Sequence, residues 1–235
     1  MNAAQYDLWY ESPLGAACLA AEINLLRRGA GDLKGKSLLD VGCGTGRFLL
    51  ALGQEAARAV GLDHDAAMLD FARSHTPTEM AQRVEWIEGD ATALPFPDET
   101  FDLVLENTLL CFCDTPASVI REMARVCRPG GTILLGELNP YSPWQWWRRV
   151  KAVLGLGSFI SASWHKPDDL FALLTESGCQ ARRLGRAIFW PPLNVRDALR
   201  WSSLTEWAGA RLWPWAGAWY AIGGANSIRH VTIKT

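Results

Sequence analysis

The chain has 235 residues, 49% of them hydrophobic, and a formal net charge of −2 at pH 7. This apolar content suffices for the core of one α/β domain over residues 1–235, and the near-neutral charge argues against a nucleic-acid partner, which requires a basic face. Because no apolar run reaches the roughly 18 to 20 residues of a membrane span, and the N-terminus lacks the pattern of a secretion signal, we expect a cytoplasmic protein.

A helical leader precedes the first predicted strand. The stretch from Leu14 to Arg28 predicts a helix, and glycines at 29, 31 and 35 end it. We therefore assign residues 1–36 to this leader. From residue 37 to Arg128, strand and helix patterns alternate, which is typical of a parallel sheet with helices on both faces.

Three glycines at alternate positions follow the first predicted strand, Leu38 to Val41, and an amphipathic helix comes directly after them. Glycine permits positive φ angles and lets backbone N–H groups approach a ligand closely. The loop is therefore predicted to cradle a cofactor, with a glycine-rich turn without a ligand as the alternative. The loop residues expected at the cofactor are Asp40, Gly42, Cys43, Gly44 and Gly46.

The spacing of these glycines indicates the kind of cofactor. A dinucleotide site has the pattern G-x-G-x-x-G, with the pyrophosphate at the helix N-terminus, whereas this loop has G-x-G-x-G. The carboxylate of Asp40 would oppose a pyrophosphate and suit a cation. S-adenosylmethionine, which carries an ammonium and a sulfonium but no phosphate, therefore fits better than a nicotinamide dinucleotide.

The second predicted strand, Ala59 to Asp63, ends in an acid 17 positions beyond Gly46. In a β-α-β unit this is the place of a ribose-binding carboxylate, so we expect Asp63 to bind the ribose. The alternative role for Asp63 is a helix cap. Asp65 or His64 starts the next helix, Ala66 to Ser74, and Asp65 is the predicted N-cap.

The third predicted strand, Arg83 to Gly89, ends at Asp90 and Ala91. There a carboxylate and a neighbouring backbone N–H are suited to hold the amino group and a ring nitrogen of adenine. Taken alone, Gly89-Asp90 is merely a turn. The assignment of Asp90 and Ala91 to the cofactor therefore depends on the order of the motifs along the chain.

That order resembles the class I S-adenosylmethionine-dependent methyltransferases, in particular the type 11 group that includes the ubiquinone and menaquinone biosynthesis methyltransferases. The resemblance covers about residues 37 to 137, with a weaker echo from Lys166 to Leu184. The motifs that carry it are Leu39 to Arg47, Gly61 to Asp63, Gly89 to Ala91, Leu94 to Val104 and Arg128 to Gly131.

The resemblance implies a doubly wound, seven-stranded, mostly parallel sheet of the Rossmann-like methyltransferase type, and S-adenosylmethionine as cofactor. Strands are expected at Phe101 to Glu106, Thr132 to Leu138, Cys179 to Phe189 and Ser227 to Lys234, the last antiparallel. It also implies a transferase of class EC 2.1.1.-. Further residues expected at the cofactor are His64, Glu106 and Asn107.

Tryptophan concentrates in the second half of the chain, where ten of the twelve follow position 140. We expect residues 139–166 and 190–224 to form an aromatic, helical lid, because segments that follow parallel strands emerge at the edge where ligands bind. Such a lid favours a small, apolar or aromatic acceptor. Its alternative roles are the core of a helical cap and a peripheral contact with a membrane surface. The residues expected at the acceptor are Trp9, Asn139, Trp144 and Trp190.

Catalytic groups are weakly signalled, because positioning and desolvation supply much of the rate of methyl transfer. His165 and Tyr10 are the candidates for removing a proton from the acceptor, whose methylated atom is oxygen, nitrogen or carbon. His165 has a suitable ordinary pKa, although a lone histidine is more often structural.

Three alternatives remain open from the sequence. Cys111 and Cys113 could serve a metalloid or thiol methyltransferase, although the six cysteines show no paired zinc spacing and we expect no bound metal. A protein that binds S-adenosylmethionine without chemistry is the second alternative. The third, a nicotinamide-dependent oxidoreductase, is disfavoured by the glycine spacing.

Overall fold

The computed structural model describes residues 2–153, 162–190 and 202–227. Helices and strands alternate along most of this length, as the sequence predicts. The helices are α1 (Ala3–Glu11), α2 (Pro13–Ala30), α3 (Arg47–Leu52), α4 (Ala66–Ser74), α5 (Pro116–Val126), α6 (Pro143–Val153), α7 (Pro167–Glu176) and α8 (Ser202–Leu212). The strands are β1 (Ser37–Val41), β2 (Arg58–Asp63), β3 (Val84–Glu88), β4 (Phe101–Asn107), β5 (Cys127–Leu138), β6 (Cys179–Ala187) and β7 (Trp219–Asn226).

The seven strands form one sheet in the order β3-β2-β1-β4-β5-β7-β6. Strands β1 to β5 are parallel to one another, and β7 runs antiparallel between β5 and β6, so β6 is parallel to the rest. This confirms the predicted fold class. The chain winds in opposite directions from β1, which creates a crevice beyond the carboxyl ends of β1 and β4, where such sheets bind ligands.

The core lies on both faces of the sheet, because its central strands are covered by helices on each side. Helices α1, α2 and α3 pack on one face and helices α5 and α7 on the other. Consecutive residues of β7 divide between the two faces: Trp219 packs in the first cluster and Tyr220 in the second. This is the alternation that a strand imposes on its side chains.

The residues at the ends of two helices, α4 and α7, are of types that favour these positions. The carboxylate of Asp65 accepts a hydrogen bond from the N–H of Ala67 at 2.9 Å, which confirms the predicted cap of α4. Helix α7 begins with Pro167, and Gly178 follows it with φ of 79°. No helix within the described ranges combines the length and apolar composition that crossing a bilayer requires.

Two predictions about the ends of the chain were wrong. The seventh strand is Trp219–Asn226 and not Ser227 to Lys234, of which residues 228–234 lie outside the described residues. The segment 190–224 consequently cannot all be lid, because its last residues belong to the sheet. The paired glycines Gly223 and Gly224 conceal this strand in the sequence, although Gly223 in fact lets β7 pack closely against leucine side chains of β5 and β6.

Candidate cofactor and acceptor site

The glycine loop after β1 has the geometry that its sequence predicts. Gly42, Gly44 and Gly46 have φ angles of 74°, 52° and 79°, in the left-handed region that favours glycine. A side chain at Gly42 would meet Leu109 at 2.7 Å, and one at Gly46 would meet the ring of Trp86 at 2.2 Å. Packing alone therefore requires glycine at these two positions.

Gly44 differs from its two neighbours because a side chain here would collide with nothing. The nearest atom to a Cβ built at this position would be Cε1 of Tyr6, at 3.9 Å, which is an ordinary van der Waals contact. No steric clash thus explains a glycine here, other than its positive φ. A bare backbone with room beside it is what close approach of a ligand requires.

Asp63, at the end of β2, holds this loop. Its carboxylate accepts hydrogen bonds from the backbone N–H groups of Gly44 at 2.8 Å and of Asp65 at 3.0 Å. The Nδ1 atom of His64 lies 3.3 Å from the same carboxylate, and the rest of that imidazole is exposed. The predicted ribose acid is therefore at the loop, with its orientation fixed by backbone donors.

Asp40 is a buried acid with an unsatisfied oxygen. Its Oδ2 atom has no hydrogen-bond partner among the residues that the structure describes. Burial, and then the negative charge of Asp63, raise the pKa of the Asp40 carboxyl to about 7. Burial, and then the negative charges of Asp40 and Asp63, raise the pKa of the neighbouring Cys43 thiol. A cationic group placed here would satisfy Oδ2 and restore the charged form of Asp40, so the site fits a positively charged ligand.

The end of β3 meets the end of β2 at the same edge of the sheet. The N–H of Gly89 donates to the carbonyl oxygen of Asp63 at 3.0 Å. Asp90 is exposed, and hydrogen bonds from Thr92 lower the pKa of its carboxyl and fix its direction. Ala91 is half-buried against the core. Both predicted adenine residues thus lie beside Asp63, and their roles stay predictions.

The side chains of Glu106 and Asn107, at the end of β4, form hydrogen bonds within the protein. Glu106 is fully buried and accepts the N–H groups of Gly136 at 3.1 Å and Leu109 at 3.3 Å. Burial, and then the nearby carboxylate of Glu137, raise its pKa. Asn107 accepts the indole N–H of Trp219 at 3.1 Å. Both side chains therefore anchor strands of the sheet at the predicted position of the cofactor.

Helix α1 of the leader closes the space over Gly44. Arg47, which follows the glycines, donates through Nε to Asp7 of α1 at 2.7 Å and through Nη2 to Glu11 at 3.2 Å. Tyr6 is half-buried beside the loop, and desolvation raises the pKa of its phenol. Sequence reasoning did not identify Arg47 as a site residue, because the contact between Asp7 and Arg47 joins residues 40 positions apart.

A second buried acid, Glu22 of α2, lies beyond α1 on the side of the tryptophan-rich segments. Burial raises the pKa of its carboxyl to about 8, while a hydrogen bond with Asn107 and the charge of Arg148 oppose that rise. Arg148 of α6 stacks near two indoles, with its guanidinium carbon 5.5 Å from the Trp144 ring and 5.9 Å from the Trp164 ring. No sequence pattern indicates this cluster, since its members come from separate elements.

The two tryptophan-rich segments meet, as predicted. The indole N–H of Trp144 donates to the carbonyl oxygen of Trp190, and both side chains are buried. Asn139 donates through Nδ2 to the carbonyl oxygens of Trp215 at 2.8 Å and Gly217 at 2.7 Å. Asn139 is itself fully buried, so it joins the segments and has no surface to offer an acceptor. Residues 191–201 of the predicted lid lie outside the described residues.

The two predicted proton acceptors are unequal. Tyr10 is buried, its hydroxyl lies 3.0 Å from that of Tyr6, and burial raises the pKa of its phenol well above the ordinary value. Tyr10 is therefore unsuited to act as a base. The Nε2 atom of His165 lies 3.0 Å from the carbonyl oxygen of Leu110, which ties it to the loop after β4.

Trp9, predicted at the acceptor, packs edge-on against Tyr10 and keeps 41% of its surface exposed.

Cys111 and Cys113 lack the character of reactive thiols. Burial, and then the neighbouring carboxylates, raise the pKa of Cys111 strongly and that of Cys113 to about 11. Both thiols donate weakly to backbone carbonyl oxygens of their own turn. Because the thiolate is the nucleophile and the metal ligand, these values disfavour the metalloid alternative. Within the described ranges, no group of three or more His, Cys, Asp or Glu residues is placed to bind a metal.

Comparison with known proteins identifies the domain. Residues 39–135 match the methyltransferase domain family, which confirms the family predicted from the motifs. A solved structure from Thermotoga maritima, described as an S-adenosylmethionine-dependent methyltransferase and possible histamine N-methyltransferase, superposes with a TM-score of 0.71 at 20% identity over 95% of each chain. Magnesium protoporphyrin IX methyltransferase of Synechocystis with bound SAH gives 0.65 at 16% identity, over 92% of this chain and 86% of that one. These structures show the fold.

Curated relatives are more similar in sequence, but the matched region is a smaller part of their length. An uncharacterized protein of Mycobacterium tuberculosis is 32% identical over 191 residues, which are 81% of this chain and 63% of that protein. Demethylmenaquinone methyltransferase of Bacillus licheniformis is 41% identical over 109 residues, 45% of this chain and 46% of the enzyme. The chain thus spans less than two thirds of the length of these relatives.

Proposed function

We propose that this chain, which belongs to the methyltransferase domain family over residues 39–135, transfers a methyl group from S-adenosylmethionine to a small, apolar or aromatic acceptor. S-adenosylmethionine is the cofactor of this family and was predicted from the glycine motif. The observation that carries the proposal is the space that Gly44 leaves beside Tyr6, together with two acids of the same region: Asp63, which accepts the N–H of Gly44, and Asp40, whose Oδ2 has no hydrogen-bond partner among the described residues.

The residues around this space have distinct tasks in the proposed complex. Asp40 offers a buried carboxylate to the positive charge of the cofactor, and Asp63 offers one to the ribose hydroxyls. Asp90 and the backbone N–H of Ala91 suit the adenine edge. Tyr6 covers the loop from α1 and excludes water, which strengthens the electrostatic contacts beneath it. When bound, the cofactor supplies an electrophilic methyl group on its sulfonium.

The acceptor is proposed to lie between α1, α2 and the joined tryptophan-rich segments. Trp144 and Trp164 supply apolar walls, and Arg148 is held against their rings. Methyl transfer requires the acceptor atom close to the methyl carbon in a site without water, and apolar walls provide that. An acceptor with a hydroxyl or amine group suits these walls, because Glu22 is a polar group buried beside them.

Glu22 is the proposed proton acceptor, in place of His165 and Tyr10. As the bond from sulfur to the methyl group breaks and the bond to the acceptor oxygen or nitrogen forms, the acceptor loses a proton. A carboxylate whose pKa burial raises to about 8 is matched to taking up that proton near neutral pH. Asn107, whose hydrogen bond to Glu22 opposes the rise, would fix the direction of the carboxylate.

The compartment follows from the cysteines. All six are free thiols, and five of them are buried. Reduced cysteines are typical of the cytoplasm, so we place the enzyme there.

Two measurements test the proposed function. Calorimetry should show binding of S-adenosylmethionine and S-adenosylhomocysteine and no binding of NADH; the reverse preference would favour the oxidoreductase alternative. Incubation with methyl-labelled S-adenosylmethionine and a panel of hydroquinones, naphthols and aromatic amines should then label an acceptor. Cofactor binding without labelling of any acceptor, in this panel or in extracts of small molecules, would instead identify a binding protein without chemistry.

A further inference from the structure

One face of helix α8 carries apolar side chains that contact solvent. Leu204, Trp207 and Arg211 are spaced three and four residues apart and therefore lie along one stripe. Leu204 is 54% exposed and Trp207 is 56% exposed. The opposite face holds the helix to the protein: Glu206 accepts the N–H of Phe189 at 2.8 Å, and Gly209 packs against the Phe189 ring. Helix α8 therefore packs on the protein through Glu206 and Gly209, and the indole of Trp207 faces solvent.

The turn after α8 extends this apolar stripe. Leu212, Trp213 and Trp215 are 63%, 57% and 55% exposed. The turn is held in place by backbone hydrogen bonds, since the N–H of Ala216 donates to Trp213 at 2.9 Å and Asn139 donates to the carbonyl oxygen of Trp215. Large apolar side chains are therefore displayed on an ordered backbone. We call the set Leu204, Trp207, Leu212, Trp213 and Trp215 the indole surface.

Two arginines border the indole surface. Residues 202–227 contain two charged side chains, of which Glu206 faces Phe189 and Arg211 is exposed, with its guanidinium carbon 4.6 Å from the Trp207 ring. Arg186 of β6 donates to the carbonyl oxygen of Pro214 at 3.1 Å.

A cleft of about 250 Å³ adjoins this surface at Ala210 and Pro214, and three arginines line it. These are Arg28, Arg183 and Arg186. Arg183 is paired with Asp168, which neutralises part of the charge. On a chain with a net charge of −2, this cluster of arginines beside exposed indoles is a local departure from the average.

We propose that the indole surface docks on the surface of an anionic phospholipid bilayer. Tryptophan prefers the boundary between headgroups and acyl chains, where its ring is apolar and its N–H meets water. Arginine at the same depth pairs with anionic headgroups. Exposed tryptophans alone would fit any apolar partner, and it is the arginines at the border that favour an anionic one. The proposal is independent of methyl transfer.

Binding to vesicles tests the proposal with the full chain. Sedimentation with vesicles of phosphatidylcholine and phosphatidylglycerol in equal parts should capture the protein, and raising the salt concentration should release part of it. Vesicles of phosphatidylcholine alone should capture less. The triple variant Trp207→Ser, Trp213→Ser, Trp215→Ser should lose binding by about tenfold or more, and Arg211→Gln by a smaller factor.

Leu8→Ser is the matched control, because Leu8 is 65% exposed on α1, which packs with α2 and α4 rather than near α8. It should bind vesicles like the wild type. All variants should keep wild-type far-UV circular dichroism. Three results would overturn the proposal: no capture by anionic vesicles, equal capture by neutral ones, or unchanged capture of the triple variant. A dimer that dissociates in the triple variant, without vesicle binding, would show that the surface joins two copies of the chain instead.

Discussion

The backbone N–H of Gly44 donates to the carboxylate of Asp63 across 2.8 Å, so the acid predicted to bind the ribose also holds the glycine loop in place. This bond joins the ends of β1 and β2, which are paired in the sheet. A ribose hydroxyl that binds Asp63 would meet an oxygen already oriented by a backbone donor, which lowers the entropic cost of binding.

Asp63→Ala should therefore weaken two properties at once. Loss of charge-assisted hydrogen bonds to the ribose should reduce the affinity for S-adenosylmethionine by about 1 to 3 kcal/mol, measured by calorimetry. Thermal unfolding should also occur at lower temperature, because two backbone donors lose their acceptor. Asp65→Ala is the control: it removes only the cap of α4 and should lower stability without a comparable loss of affinity. If Asp63→Ala and Asp65→Ala lose the same affinity for S-adenosylmethionine, Asp63 does not bind the cofactor.

Substitution of alanine at two of the loop glycines should separate binding from packing. At Gly44 a Cβ has space, so Gly44→Ala should cost about 1 kcal/mol of stability from its positive φ while greatly reducing cofactor affinity. At Gly46 the same methyl group would collide with Trp86, so Gly46→Ala should lose considerably more stability in chemical denaturation. If Gly44→Ala binds the cofactor like the wild type, the ligand does not approach this backbone.

Asp40→Asn should change the pH dependence of stability. The folded state raises the pKa of Asp40 from 3.8 to about 7, so it holds a proton that the unfolded chain releases between these pH values. Stability therefore falls as pH rises through this range. The variant should be more stable than the wild type at pH 8 by about 1 to 3 kcal/mol, and equal to it near pH 4.

The same Asp40→Asn variant should bind S-adenosylmethionine more weakly, since it lacks the negative charge that the cation needs. Asp70→Asn serves as the control, because Asp70 is exposed and pairs with Arg73 on α4. Calorimetry measures the affinity for S-adenosylmethionine, and denaturant titrations at several pH values measure the difference in stability. A stability difference that does not vary with pH would show that Asp40 is ionised throughout and would contradict the interpretation.

Trp144→Phe should affect the acceptor and not the cofactor. It keeps an aromatic ring but removes the hydrogen bond to the Trp190 carbonyl, which should loosen the junction of the two segments by about 1 kcal/mol. We expect a lower rate of acceptor methylation with unchanged cofactor affinity. The exposed neighbour gives the control, Trp146→Phe, which should alter neither. Parallel losses of both properties would contradict an acceptor role.

Glu22→Gln should flatten the pH profile of methyl transfer. In the wild type the rate should rise with pH toward an inflection near the Glu22 pKa of about 8, as the carboxylate becomes available. The variant should lose this inflection and about 10² to 10⁴ in rate, with cofactor affinity unchanged. Glu206→Gln, which alters a half-buried acid that accepts the N–H of Phe189, should retain the profile. If the pH profile of Glu22→Gln is unaltered, Glu22 is not the proton acceptor and His165 is the remaining candidate.

The sequence predicts the cofactor side of the molecule well because that side is local. Gly42, Gly44 and Gly46 and the strand before them lie within a dozen residues, and their φ angles follow from glycine at those positions. Asp63 and Asp65 are likewise placed by the end of one strand and the start of one helix. Alternation of strands and helices then predicts the parallel sheet, although not the order of its strands.

The acceptor side could not be predicted because its contacts are long-range. The charge of Arg148 on α6 acts on Glu22 of α2, and Asp7 pairs with Arg47 across 40 residues. Neither pair has a spacing that a helix or turn would explain. Strand β7 was missed for a different reason: adjacent glycines interrupt the β-strand pattern, and only the packing of Gly223 against Leu134 and Leu184 shows why a glycine is suited to this strand.

The insertion of β7 between β5 and β6 has a consequence for how the enzyme is made. Strand β6 is synthesised before the strand that separates it from β5, so its native pairing has to await residues 219–226. Trp219, which donates to Asn107, belongs to that later strand. The cradle for the nucleoside thus comes from residues that precede β7 in the chain, whereas the native order of the sheet beside it depends on β7 itself.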